Sequence, residues 1–236
     1  METQVHADAV YIMDNSKDAL HFAELSLKAL KHVFIAKPDI LDLEQMQYLK
    51  KLAQESGVVL QLGTGYKFCS AYATLSELSC AAKVINVMYQ LTNSCNMKLE
   101  LFYIFDFVTN ILNNNIIKFD FCSWKNAENL YNLFHYRIDC DNGSVVNITF
   151  YKIAEGEPKL EITFASSETL ICADVFKSVI KQYRAGAASE ITLDDYCEKS
   201  IRDCYIQNFR RAINNESDAV RTIDKQFQNL ISSLRL

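Results

Sequence analysis

Three short apolar runs, Ala9–Met13 (AVYIM), His32–Ile35 (HVFI) and Val58–Leu62 (VVLQL), open this chain, and one amphipathic pattern fills each gap between them. An unbroken apolar run of this length suits a strand covered on both faces, as in a parallel sheet. In the first gap, Leu20, Ala23, Leu27 and Leu30 recur at helical spacing, and Asn15 or Ser16 supplies the helix cap. In the second gap, Asp39-Ile40-Leu41-Asp42 opens a helix with Leu43, Met46, Leu49, Leu52 and Ala53 on one face, and Gly57 closes it as a C-cap. Parallel strands joined by a helix cross over right-handed. The first stretch therefore reads as a β-α-β-α-β unit with short loops.

Beyond Gly65 the pattern changes. Tyr72 to Val87 reads as a helix with Leu75, Leu78, Ala82 and Ile85 as its stripe. Leu99–Leu112 (LELFYIFDFVTNIL) reads as a buried helix, and its aromatic density leaves a strand open. From Asn129 onward strands take over. Tyr131–Cys140 and Ser144–Tyr151 flank Asp141-Asn142-Gly143, a hairpin signal. Lys159–Phe164 and Thr169–Cys172 follow as strands. Leu193–Ile213 returns to helix, and Ser217 or Asp218 caps a last helix to about Leu234. The expected fold class is α/β plus α+β: a partial Rossmann-like parallel unit over residues 1–64, then a mainly antiparallel-sheet domain with helices over residues 65–236.

Composition excludes several functions. Half of the 236 residues are apolar, which suits a packed globular core. The net charge of −5, with basic residues scattered, argues against nucleic acid as a partner. No apolar run approaches a membrane span, and the N-terminus has no secretory pattern. The eight cysteines form no C-x-x-C pair, and the four histidines are dispersed. They read as reduced cytoplasmic thiols rather than metal ligands. Only six glycines occur, none before Gly57. A phosphate-cradling G-x-G-x-x-G loop is missing throughout.

Four stretches, in order, resemble the Gfo/Idh/MocA family of sugar-type dehydrogenases: DAVYIMDNSKDALHFAELSLKAL, KHVFIAKP, GVVLQLGTGYKF and FRRAINNESDAVRTIDKQFQNLISSL. The second is similar to that family's G-K-H-V-x-x-E-K-P signature. The resemblance implies an oxidoreductase ancestry, a sugar-like ligand, NAD or NADP in the family, and a homodimer through the C-terminal sheet. By the same resemblance, Lys37, Tyr103 and Asp106 fall on the reacting positions. Asn15, His21, Lys37 and Pro38 fall on the cofactor side. An ammonium near a phenol lowers the phenol's pKa, which would let Tyr103 trade a proton while hydride leaves the neighbouring carbon.

The departures carry weight. Ala36 replaces the signature Glu, Asp14-Asn15 replaces a Thr-Pro, Leu99 replaces an acid and Leu101 a glycine. The strands bearing the family's glycine loop and ribose-binding acid have no counterpart here. The expectation is thus no cofactor on this chain alone. One reading is a divergent homologue that does not bind dinucleotide. The alternative is a working NAD(P)-dependent enzyme of a sugar-like substrate whose cofactor-binding half lies elsewhere. Bland roles stand beside these: Lys37 as a strand-end lysine reaching solvent, Tyr103 as a core tyrosine bonded to backbone, Asp106 as a helix cap or lysine partner.

Overall fold

The structure is a computed structural model that describes residues 7–13, 18–36, 38, 43–63, 70–78, 82–92, 97–112, 116–125, 131–153, 156–193, 198–217, 219–220 and 224. It divides into two compact units. The first takes in Met1–Phe68, Asn96–Asp106 and Lys199–Leu236, and the second Cys69–Cys95 and Phe107–Glu198.

In the first unit, strand β1 (Ala9–Ile12), helix α1 (Asp18–Lys28), β2 (His32–Ile35), α2 (Leu43–Glu55) and β3 (Leu60–Leu62) follow one another. The strands form a parallel sheet in the order β1-β2-β3, a Rossmann-like unit. The apolar runs do what their composition dictates: Val33, Ile35, Leu60 and Leu62 are buried with Ala19, Ala23, Leu27, Met46 and Leu49 in one core. Gly57, at φ +65°, ends α2 as the sequence expects. The opposite sheet face carries Tyr11 and Phe34. Phe209 of α5 (Glu198–Ile213) packs on both, with ring centroids 5.5 and 5.9 Å away. Phe102 joins the first core from α4 (Met97–Leu112), with Tyr103 packed against it.

The second unit holds α3 (Ser70–Leu78) and an eight-stranded sheet. Its strands are β4 (Val84–Thr92), β5 (Ile116–Lys125), β6 (Tyr131–Cys140), β7 (Val145–Ile153), β8 (Lys159–Ala165), β9 (Thr169–Asp174), β10 (Val179–Arg184) and β11 (Ala187–Thr192). The order is β11-β10-β9-β8-β4-β7-β6-β5. Every neighbouring pair is antiparallel except β4 with β7. The hairpin at Asp141-Asn142-Gly143 forms: Gly143 sits at φ +78°, and the Asn142 side chain accepts the Ser144 N–H at 2.9 Å. One face is apolar and covered, with Ile85, Val87 and Tyr89 of β4 beside Val146, Ile148 and Phe150 of β7. Val84, Asn86 and Met88 point to the other, open face.

Two readings need correction. The helix expected over Tyr72 to Val87 stops at Leu78, and Val84–Thr92 is the β4 strand. Ile85 belongs to a period-two alternation that continues through Val87, Tyr89 and Leu91, and pairing on both edges settles it. The helix expected from Leu193 instead begins at Glu198 in the described residues, and β11 runs up to Thr192. The helix expected from Ser217 or Asp218 to about Leu234 falls mostly outside the described residues. Among the described residues no helix is long and apolar enough to cross a membrane.

Candidate functional site

At the carboxyl ends of the three parallel strands the backbone bonding continues one residue past β2 and β3. The Ala36 N–H donates to Ile12 O at 2.9 Å, and the Gly63 N–H donates to Ile35 O at 2.7 Å. A Cβ on Gly63 would lie 2.3 Å from the Ala36 carbonyl oxygen. Glycine is therefore required where β3 leaves the sheet, because the backbone that follows β2 occupies the space a side chain needs. Ligands of open α/β sheets bind beyond such strand ends. Lys37 and Asn15, which the sequence places here, lie outside the described residues. Pro38 is buried.

Tyr103 and Asp106 sit three residues apart on α4, hence on neighbouring positions of one helix face. Tyr103 is half-buried with its ring 5.7 Å from that of Phe102, and Asp106 is fully buried. Both belong to the same compact unit as Pro38 and the strand ends. Leu101, where the family pattern has glycine, is also buried. His21 is different. It lies exposed on α1, its ring 6.3 Å from that of the equally exposed Phe22.

Two side chains escaped the sequence reading. Gln61 stands in register with Phe34 on the α5-covered face, is wholly buried, and among the described residues has no hydrogen-bond partner at either amide atom. Asn208 of α5 is buried, with its Nδ2 likewise unpartnered among the described residues. The signal for Gln61 was present: it is the one polar residue in VVLQL. At the amino end of the sheet, His32 Nδ1 accepts the Val59 N–H at 3.0 Å. Burial pushes the His32 pKa below its ordinary value, against a weaker upward pull from the Asp8 carboxylate. A protonated ring would lose that acceptor. Among the described residues no three His, Cys, Asp or Glu side chains cluster to hold a metal.

No protein-family model and no curated protein matches the sequence. Solved structures do match in fold. UDP-N-acetylglucosamine 3-dehydrogenase GnnA from Acidithiobacillus ferrooxidans superposes with a TM-score of 0.78 at 18% identity, covering 97% of this chain and 77% of that one. A Gfo/Idh/MocA family oxidoreductase from Vibrio cholerae gives 0.76 at 16% identity, covering 98% and 76%. KijD10, a 3-ketoreductase from Actinomadura kijaniata solved in complex with NADP, gives 0.71 at 16% identity, covering 97% and 76%. The chain thus has the fold of Gfo/Idh/MocA-type oxidoreductases over nearly its whole length.

Proposed function

We propose that the chain is a divergent homologue of NAD(P)-dependent sugar and polyol oxidoreductases that does not bind a dinucleotide on its own. The observation that carries this is the glycine inventory: none of the six precedes Gly57, and no G-x-G-x-x-G occurs. The geometry at Gly63 supports it. A phosphate-cradling glycine keeps its α-carbon open to ligand, whereas the space beside Gly63 is filled by the chain's own Ala36 carbonyl.

On this reading the ligand is a small sugar-like molecule and the partner a second copy on the open face of the eight-stranded sheet. Support for that partner is the outward row of Val84, Asn86 and Met88, with Met88 about half exposed. The described cysteines Cys122, Cys140, Cys172 and Cys204 are free thiols, in keeping with a cytoplasmic home.

The test is thermal unfolding with millimolar NAD(H) and NADP(H). A ligand at 100 times its Kd stabilises the folded state by about 2.7 kcal/mol, so a rise of several degrees overturns the proposal. The alternative, an active enzyme completed by a cofactor-binding half from elsewhere, draws on Tyr103 and Asp106 lying in the same unit as the strand ends. Polyol oxidation by a fusion to a G-x-G-x-x-G half-domain would favour it.

A further inference from the structure

At one end of the eight-stranded sheet two hairpin turns stand side by side. Ser166-Ser167-Glu168 joins β8 to β9, and Ala185-Gly186 joins β10 to β11. Because β9 and β10 are neighbours, the two turns border one groove of about 460 Å³. Small-molecule sites occupy about 300–1,000 Å³. Ser166 braces the first turn, its hydroxyl oxygen accepting the Glu168 and Thr169 N–H groups at 3.3 and 3.1 Å. In the second turn, Ala185 and Gly186 sit at φ +49° and +80°, and a Cβ on Gly186 would meet nothing within 4 Å. Small residues thus keep the space beside that turn clear.

The floor of the groove is apolar. Ala165, Leu170, Tyr183 and Ala188 are successive partners across β8, β9, β10 and β11, hence side by side on one face of the sheet. Ala165 also pairs with Val84, so this is the open face. Leu170 and Tyr183 are 40% and 42% exposed, and the alanine on each side is too small to cover them. The walls are polar. Arg184 and Glu168 hold opposite charges 3.9 Å apart, too far for a hydrogen bond. Among the described residues neither of these two side chains makes one. Ser167 is exposed and lines the same groove.

We propose that this groove is a binding site for a neutral saccharide. A floor of tyrosine and aliphatic side chains suits the C–H face of a sugar ring, because the electron-rich face of an aromatic ring attracts partly positive hydrogens. Arg184 only donates hydrogen bonds, Glu168 only accepts them, and Ser167 does both. Sugar hydroxyls, each a donor and an acceptor, therefore find a counterpart for either role. The charges sort the alternatives. Glu168 repels an anion such as phosphate and Arg184 repels an amine, whereas a neutral saccharide meets neither penalty. A purely apolar ligand would cover both charges without bonding them. All these residues belong to the second unit, whereas Gln61, Tyr103 and Asp106 belong to the first. The proposal is independent of the dinucleotide reading.

The test is an amide NMR titration of the full, nitrogen-15-labelled chain with glucose, N-acetylglucosamine, maltose and cellobiose, and separately with inorganic phosphate. Reading the amides of Ser167, Glu168, Ala185 and Gly186 separates this groove from any sugar bound in the first unit. Those signals should move saturably with at least one of the saccharides and stay still with phosphate. Tyr183→Ser and Glu168→Ala should each weaken that binding about tenfold. Both side chains are exposed, so the melting curves of the variants should match that of the wild type. The proposal is overturned if the four amides stay still with all four saccharides, if their movement is insensitive to Tyr183→Ser, or if phosphate moves them.

Discussion

Gly63 and Ala36 approach so closely that a methyl group on Gly63 would meet the Ala36 carbonyl oxygen at 2.3 Å. The contact is backbone against backbone, so no flexible side chain can yield. Gly63→Ala must open the exits of β2 and β3, and overpacking of this kind costs about 1–3 kcal/mol. Equilibrium urea unfolding should show that loss. A variant as stable as the wild type would mean that the strand exits are pliable.

His32 makes stability depend on pH. Its folded-state pKa lies below the ordinary 6.5 because burial disfavours the imidazolium. The unfolded chain therefore binds the proton more tightly than the folded one, so the contribution of neutral His32 is present above 6.5 and is lost as pH falls from there through the lower folded-state pKa. The His32→Gln variant removes the titration. The stability gap between wild type and variant should shrink from about pH 7.5 to about pH 5.5. A constant gap would take His32 out of the pH response.

Phe209 ties α5 to the face of the parallel sheet through Tyr11 and Phe34 and is fully buried. Truncation to alanine should cost about 3–5 kcal/mol. Limited proteolysis should then cut within Glu198–Ile213 first. Unchanged resistance there would show that the helix is held by other contacts.

The first unit was legible because its strands are short apolar runs bounded by caps and by Gly57, and each helix face repeats cleanly. The α3–β4 stretch misled because Leu75, Leu78, Ala82 and Ile85 are spaced as a helix would space them, while the pairing that makes Val84–Thr92 a strand comes from β7 and β8, far along the chain. β10 and β11 passed unseen because VIKQYR and AASEIT are mostly exposed and show no alternation. Their turn is readable only afterwards, in Ala185 and Gly186 at φ +49° and +80°. Of the candidate site, Tyr103 and Asp106 were placed by the family resemblance, and the helix that carries them was legible from its apolar run. Gln61 carried a signal as the one polar residue in VVLQL, but that signal does not announce which face of the sheet the side chain takes.

Gln61 yields the sharpest test. Its amide is wholly buried beside Phe34, under a helix that presents Tyr205 and Phe209 to that ring, and neither amide atom has a partner among the described residues. A buried polar group left unsatisfied costs about 1–3 kcal/mol. Gln61→Met keeps the length and removes the polar atoms, so it should stabilise the chain by about that much. At about 2–4 °C per kcal/mol for a chain of this size, the melting temperature should rise by roughly 2–12 °C. A polar residue kept at such a cost is a candidate ligand contact, since strain of this kind persists where function holds it. The same variant therefore tests both roles. A raised melting temperature with loss of the thermal shift caused by a sugar or polyol would assign Gln61 to the ligand. A raised temperature with that shift unchanged would leave it as a tolerated flaw in the core. A lowered temperature would show that the amide is bonded in solution and would remove Gln61 from both roles.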